Sequence, residues 1–255
     1  MTQQDIYDIA MRQSAIDSGC DVSDFTAGVP KVFISQTHPD ARRYLKLPFY
    51  CDLCSYGSNV VASVHPDVAQ AVRDYISRFP PEHCFETPNL HVLSKALREH
   101  SYEVCFMAEY WLPDLAALIP QPCAYELRVL MPDDFEHLYL PVWSNALCEK
   151  RKHLDRMALG AYDGEKLVAL AGASADCETM WQIGVDVLPT YRRQGIASAL
   201  TSRLALEILA RDKVPFYCCA WSNLPSARNA IRSGFRPAWV QVSAKSLSFI
   251  EELNA

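Results

Sequence analysis

The sequence lacks the segments that mark secreted and membrane proteins. Its first residues contain no basic stretch followed by an apolar one, so they indicate no secretory signal. No run approaches the roughly 18–20 consecutive apolar residues that a membrane-spanning helix requires. Charged residues are also few, at 21% of the 255, while half of the residues are hydrophobic, which excludes wholesale disorder and predicts a sizeable core. We therefore expect a cytoplasmic protein with no membrane partner.

Disulfide bonds are a further expected absence. The chain has ten cysteines, but its size and the lack of a signal predict reduced thiols. Cys51 and Cys54 form a single C-x-x-C pair with no second pair at zinc-finger spacing. We interpret them as structural, with a zinc site completed by Cys84 as the alternative. Accordingly, no metal cofactor is expected.

An excess of basic residues is absent as well. Residues 1–120 carry 9 Lys and Arg against 15 Asp and Glu, whereas residues 121–255 carry 15 of each. All the excess acid lies in the first half, which disfavours nucleic acid as a partner. Such a surface would suit a cationic amine substrate, and a surface that is acidic only for solubility is the alternative.

The most informative segment is a basic, glycine-containing loop at residues 191–197. It follows a strand-like run at residues 181–187 and opens directly into an amphipathic helix. The first N–H groups of a helix lack intrahelical acceptors and carry partial positive charge. Together with Arg192, Arg193 and the small Gly195, they predict a site that holds an anion such as a pyrophosphate.

Prolines divide the chain. Three of them fall between residues 112 and 122, where they break helix and strand patterns as in linkers. We therefore predict two domains, residues 1–120 and residues 124–255. The second is predicted to contain strands at 125–130, 159–171 (a hairpin about Asp163-Gly164), 181–187, 214–221 and 239–248, and helices from 132, at 195–211 and at 226–233. The strand at 214–221 is expected to be a parallel neighbour of 181–187.

The first half is predicted to be an α/β domain. Helices are expected at 1–19, after His65-Pro66-Asp67 and at 91–100, with a strand at 103–111. Residues 89–102 weakly resemble residues 223–235, because each segment reads as a helix followed by an aromatic residue and a strand. An ancient internal duplication and coincidence both explain this similarity.

Three motifs in the second half together resemble the GNAT acyltransferases. Arg192-x-x-Gly195-x-Ala197 is similar to the Gln/Arg-x-x-Gly-x-Gly/Ala loop of that family, and Val187-Leu188-Pro189 resembles the Val-x-Pro that ends its fourth strand. The run from Asn223 and Ser226 to Gly234-Phe235 resembles the Asn-x-x-Ser…Gly-Phe segment. The resemblance covers about residues 124–250 and implies an α/β (α+β) fold. Its mixed central sheet would contain splayed parallel strands and be flanked by helices.

The resemblance also implies a reaction. GNAT proteins transfer an acetyl group from acetyl-CoA to an amine, here an amine of a small molecule or an exposed amino group of a peptide. The residues that would bind coenzyme A are Val185, Val187, Arg192, Arg193, Gln194, Gly195, Ile196, Ala197, Ser198, Asn223 and Ser226. Ser226 has an alternative role as a helix N-cap.

The acceptor amine must lose a proton. An ordinary amine has a pKa near 10.4, so its neutral form costs about 4–5 kcal/mol at pH 7 and a general base is expected. The candidate catalytic carboxylates are Glu149, Asp176, Glu178 and Asp186. Asp186 stands inside an apolar strand, where a carboxylate is costly unless it is paired or catalytic, and a hydrogen-bonded structural role is the alternative.

The chain departs from the family in one respect. Many members place a tyrosine four residues before the Gly-Phe pair to protonate the leaving thiolate, but this chain has Ala230 there. Ser226, Cys219, Tyr217 or water would then have to stabilise the sulfur, so Ser226 joins the catalytic candidates.

Two other functions stay open at this stage. The protein could be a non-catalytic acyl-CoA-binding sensor, or its first half could be a protein-docking module. Trp143, Trp181 and Trp221 favour an acceptor with an apolar surface, with ordinary core packing as the alternative. The sequence is compatible with a monomer and with a homodimer.

Overall fold

The computed structural model describes all 255 residues. The helices are α1 (Gln3–Ser18), α2 (Ala69–Arg78), α3 (Thr87–Arg98), α4 (Pro132–Phe135), α5 (Ile196–Leu209), α6 (Leu224–Arg232) and α7 (Leu247–Asn254). The strands are β1 (Lys31–Ile34), β2 (Cys51–Ser55), β3 (Val61–Val64), β4 (Tyr102–Pro113), β5 (Glu126–Leu130), β6 (Asp155–Asp163), β7 (Lys166–Ser174), β8 (Met180–Val187), β9 (Val214–Ala220) and β10 (Phe235–Ser246). None of the helices is long and apolar enough to pass through a membrane.

The chain forms two compact units, and each is discontinuous in sequence. Unit 1 comprises Met1–Ala10 and Trp111–Pro237, and unit 2 comprises Met11–Tyr110 and Ala238–Ala255. The elements α1, β4 and β10 each begin in one unit and end in the other. A cut within residues 112–122 would therefore remove part of both units.

The proline-rich segment predicted as a linker is packed into unit 1. Trp111 and Leu118 are buried in the core of this unit. The backbone N–H of Asp114 donates to the carbonyl of Gly234 at 2.8 Å. Because these residues are buried and hydrogen-bonded, the division of the structure falls at residues 110–111, before the prolines.

Unit 1 contains a mixed sheet in the order β9-β8-β7-β6-β5. The pairs β5–β6, β6–β7 and β7–β8 are antiparallel. The strand β9 runs parallel to β8, as predicted. The predicted hairpin joins β6 and β7 through Gly164, whose φ of +60° suits glycine. The buried stripe of α5 packs against the same core and consists of Ile196, Leu200, Leu204 and Ile208.

Unit 2 contains strands in the order β1-β3-β2-β10-β4. In this sheet β2 pairs antiparallel with both β3 and β10, and β1 pairs parallel with β3. The helices α2 and α3 bury apolar side chains in the core of the unit, among them Val72, Ile76, Leu93 and Leu97. The first half thus forms the expected helices and strands, although α3 begins four residues earlier than predicted, with Pro88 in its first turn.

In each half of the chain, a helix is followed by a residue with positive φ and then by a strand. Helix α3 is followed by Ser101 at φ +62° and then the strand β4, and α6 is followed by Gly234 at φ +87° and then β10. Both strands begin at an aromatic residue and both contain 12 residues. The prediction for β10 was wrong at both ends, since it starts at Phe235 and gives way to α7 at Leu247.

Candidate active site

The two parallel strands of unit 1 separate along their length. β8 and β9 pair only at Met180–Val214, Trp181–Pro215 and Gln182–Phe216. From Ile183 onward, β8 keeps its antiparallel partner β7 on one edge but has no pairing with β9 on the other. Val185 and Val187 lie on this open part of β8. Its unpaired backbone groups can therefore hydrogen-bond to an extended ligand, as an added strand would.

A loop segment is anchored against this part of β8. The Asp186 carboxylate accepts hydrogen bonds from the backbone N–H groups of Asn145 and Ala146, both at 2.9 Å, and from the Asn145 side-chain amide at 2.6 Å. Asp186 is therefore paired, which accounts for a carboxylate inside an apolar strand.

Two glycines make room for this segment. Gly172 and Gly184 are direct partners across β7 and β8. A Cβ at Gly184 would lie 1.8 Å from the carbonyl oxygen of Asn145, and one at Gly172 would lie 1.9 Å from that of Ala146. Neither residue was predicted from the sequence to have a role, although glycine inside an apolar strand signals a close backbone approach.

The basic loop that follows β8 is held by side-chain contacts. The Arg192 Nε–H donates to the carbonyl of Val187 at 3.1 Å, and the Tyr125 hydroxyl donates to Gln194 Oε1 at 2.8 Å. Arg193 and Gly195 both have positive φ, of 63° and 81°. Arg192, Arg193 and Gln194 are exposed, so their side chains are accessible to an anion.

This loop runs into the N-terminus of α5. No side chain caps the helix there. The Ser198 hydroxyl donates to the backbone carbonyl of Gly195 at 2.9 Å, so its proton is already used in a hydrogen bond within the helix start. A Cβ on Gly195 would meet no atom within 4 Å, so the space above the loop is open. The first N–H groups, those of Ile196, Ala197 and Ser198, combine with the exposed basic residues to fit an anionic ligand.

Polar side chains lie on β9 beyond its pairing with β8 and at the start of α6. Asn223 is the N-cap of α6, and its Oδ1 accepts from the Ser226 N–H at 3.2 Å. Asn223, not Ser226, is therefore the residue that caps this helix. The Ser226 hydroxyl lies 2.8 Å from the hydroxyl of Tyr217, the first residue of β9 beyond the pairing with β8. Burial of Tyr217 raises the pKa of its phenol, partly offset by its hydrogen bonds with Ser226 and Asn229.

The remaining candidate carboxylates lie elsewhere. Glu178 precedes β8, at the opposite end from the open edge, and pairs with Lys213 at 3.3 Å. Asp176 is fully buried and pairs with Arg151 at 3.3 Å. Glu149 is exposed at the start of a 3-10 segment, Glu149–Leu154. Among the four carboxylates, Asp186 is the one that lies on the open part of β8.

The tryptophans and cysteines differ in exposure. Trp143 is buried in a small core, Trp181 is half-buried, and Trp221 is 58% exposed just after β9. Cys51 and Cys54 are buried free thiols in β2, and burial raises the pKa of each. No group of three or more His, Cys, Asp or Glu side chains is arranged to hold a metal ion.

A comparison with known protein families finds one match. A family model described as GNAT acetyltransferase matches residues 58–238. Since the match spans more than half of the chain, the protein belongs to the GNAT acetyltransferase family, which supports a general acyltransferase function. The predicted GNAT-like α/β fold is confirmed. The match also begins well before residue 124, so the relationship extends into the half that the motifs did not identify.

Several solved structures are similar to parts of this chain. The GCN5-related N-acetyltransferase from Kribbella flavida is 16% identical, with a TM-score of 0.48 over 60% of this chain and 63% of its own. The one from Sphaerobacter thermophilus is also 16% identical, with a TM-score of 0.44 over 74% and 72% of the two chains. A tandem GNAT protein from the clavulanic acid biosynthesis pathway is 14% identical, with a TM-score of 0.41 over 66% and 72%. The chain thus spans just under two thirds of the Kribbella protein. A comparison with curated proteins finds no sequence match.

Proposed function

We propose that the protein transfers an acetyl group from acetyl-CoA to an amine of a small molecule or an exposed amino group. The observation that carries this proposal is the divergence of β8 and β9 beside an uncapped helix N-terminus. An open strand edge suits the amide groups of pantetheine, and the helix terminus suits a pyrophosphate. The two features follow each other directly in the chain, as a ligand that contains both groups requires.

In this proposal unit 1 binds the donor through its backbone. The open edge of β8 pairs with the pantetheine through the backbone groups of Val185 and the N–H of Val187, whose carbonyl accepts from Arg192. The N–H groups from Gly195 to Ser198, together with Arg192, Arg193 and Gln194, hold the pyrophosphate. The Asn223 side chain accepts from the Ser226 N–H with its oxygen, which leaves its amide N–H groups to donate to the pantetheine.

The acceptor amine attacks the thioester carbonyl. A C–N bond forms, the C–S bond breaks, and the amine proton passes through water to a carboxylate. Of the four candidate carboxylates, we favour Asp186 as the base over Glu149, Asp176 and Glu178, because it alone lies on the open part of β8. Its hydrogen bonds to Asn145 and Ala146 also give it a positioning role for that segment.

The leaving thiolate needs a proton. Ala230 occupies the position of the family's usual tyrosine and is buried in the core of unit 1. We assign the proton donor to the hydroxyl pair of Tyr217 and Ser226, whose oxygens are 2.8 Å apart. The hydroxyl that gives up its proton regains one from solvent, so the pair returns to its starting state.

The test is an assay of thiol release. Acetyl-CoA is mixed with the full chain and a panel of primary amines, and free thiol and acetylated amine are measured together. We expect equal amounts of both products and a reaction rate that saturates as the amine concentration rises. Tight binding of acetyl-CoA with no thiol released across the panel would favour the non-catalytic sensor, an alternative that the replacement of tyrosine by Ala230 motivates.

A further inference from the structure

Unit 2 contains a cavity to which the acyl-transfer proposal gives no role. Its volume is about 610 Å³, within the usual range for sites of small organic ligands. Every lining residue belongs to unit 2. The aromatic part of the wall includes Tyr44, Tyr50, Tyr102, Phe106, Tyr110 and Phe249.

The aromatic wall is held in place by stacking. The rings of Tyr50 and Tyr102 stack with their centroids 3.6 Å apart, and Tyr110 stacks on Trp239 at 4.6 Å. Such rings offer apolar surface and negative π-faces, which favour an apolar or aromatic body and tolerate a nearby cation.

A polar pair interrupts this wall. Asp52 is only 1% exposed, and both of its carboxylate oxygens accept from Gln241 Nε2, at 3.0 and 2.9 Å. Gln241 also lines the cavity, and its Oε1 is buried without a hydrogen-bond partner. A buried acceptor that lacks a hydrogen-bond partner destabilises the protein. The pair therefore offers acceptors to a ligand that brings hydrogen-bond donors.

The charge of Asp52 points to the same ligand chemistry. The buried guanidinium of Arg42 is paired with Asp17 and also donates to Ser14 Oγ at 3.2 Å, so its charge is already matched. Burial raises the pKa of Asp52 to about 7 even though the Gln241 hydrogen bond and the charges of Arg42 and Lys245 oppose the shift. A cation with several N–H donors would match the Asp52 charge and also satisfy Gln241 Oε1.

Two lysines also line the cavity. Lys46 is exposed, and its Nζ lies 5.9 Å from the centre of the Phe249 ring. Lys245 lies two residues beyond Ser243, the partner of Asp52 on β10, and therefore on the same face of the sheet. Both line the cavity, so a ligand that reaches them would gain from an anionic group.

We propose that this cavity binds a small zwitterion with a primary ammonium group, an apolar or aromatic body and an acidic group. The ammonium donates to Asp52 and Gln241, the body packs between the aromatic rings, and the acid lies near Lys46 and Lys245. Binding needs no acyl donor, so it can hold or fail independently of acetyl transfer.

The test is calorimetry on the full chain without coenzyme A, using three related probes. Phenylalanine carries both charged groups, 2-phenylethylamine lacks the acid and 3-phenylpropionate lacks the amine. Phenylalanine should bind most tightly and 3-phenylpropionate at least about tenfold more weakly. No saturable binding of phenylalanine, or equal binding of the probe without an amine, would overturn the proposal using the unaltered protein alone.

Variants then assign the two ends of the ligand. Asp52→Asn should weaken both amines at least about tenfold and leave 3-phenylpropionate unchanged. Lys46→Met, at the lysine whose charge is not among those that shift Asp52, should weaken phenylalanine and leave 2-phenylethylamine unchanged. Asp74→Asn, which removes an exposed carboxylate of α2, is the matched control and should change neither. Unchanged amine binding by folded Asp52→Asn protein would reject the assigned ammonium site.

Discussion

The Asp186 carboxylate binds Asn145 at two points. Its Oδ2 accepts from the Asn145 backbone N–H at 2.9 Å, and its Oδ1 accepts from the Asn145 side-chain amide at 2.6 Å. Because Asp186 lies on the part of β8 that is unpaired with β9, this contact holds the loop segment over the face of β7 and β8 beside the open edge. The position of the Asn145–Ala146 segment should therefore depend on the Asp186 carboxylate.

The first prediction concerns this carboxylate. Asp186→Asn places an NH2 group against N–H donors and should lower the free energy of unfolding by roughly 1–2 kcal/mol. It should also lower kcat, with little change in acetyl-CoA affinity. Urea unfolding and calorimetry measure the two effects. Glu165→Gln, at a side chain 93% exposed, is the control and should stay within about 0.5 kcal/mol. Unaltered stability and rate in Asp186→Asn would contradict the assigned role.

The second prediction tests the glycine that admits the loop. Gly184→Ala places a Cβ 1.8 Å from the Asn145 carbonyl oxygen, so the backbone must move. We expect a loss of about 1–3 kcal/mol in the free energy of unfolding. Gly164→Asn is the control, because its Cβ meets open space and asparagine tolerates its φ of +60°. If Gly184→Ala were no less stable than Gly164→Asn, the loop would not lie against β8 as described.

The third prediction concerns the phosphate loop. Gly195→Glu adds a side chain and a negative charge where the pyrophosphate is expected, and it should abolish acetyl-CoA binding in calorimetry. Gly164→Glu is matched, since that glycine also has positive φ, of 60°, and open space around its Cβ. It should bind acetyl-CoA as the unaltered protein does. Full affinity in Gly195→Glu would place the donor elsewhere.

The fourth prediction concerns the leaving thiolate. Tyr217→Phe and Ser226→Ala each break the 2.8 Å hydroxyl contact. Each should lower kcat by about a hundred- to ten-thousandfold, the usual contribution of general acid catalysis, while the KM for acetyl-CoA changes little. The double variant should be no slower than the slower single one if the hydroxyls act as one relay. Fully additive losses would show that they act separately.

Local patterns explain which features the sequence could predict. The loop at residues 191–197 and the parallel strands were predictable because turn chemistry and apolar periodicity are local. The contact of Asp186 with Asn145 was not, since 41 residues separate the two. The same holds for the division into units, because the buried Trp111 and Leu118 pack against residues distant in sequence. The cavity of unit 2 is assembled from β2, β4, β10, α7, the segment before β2 and His65, and no local motif marks it.

The last prediction concerns pH and the buried Asp52. Its pKa in the folded protein is about 7, above the value near 3.9 of an unfolded chain. Between these values the folded state binds more protons, so this group makes stability fall as pH rises from about 4 to 7. Between pH 5 and 8 the loss should be on the order of 2–3 kcal/mol, and Asp52→Asn should abolish it.

The measurement is urea unfolding of both proteins at each pH. Arg42, Asp17 and Lys245 also influence Asp52, and His65 lines the same cavity, but all four are present in both proteins, so the difference isolates Asp52. Phenylalanine at saturating concentration should reduce the difference at pH 8, because its ammonium group stabilises the ionised carboxylate. Parallel pH profiles of the two proteins would show that Asp52 is ionised throughout this range, and that the cavity needs no cation from a ligand.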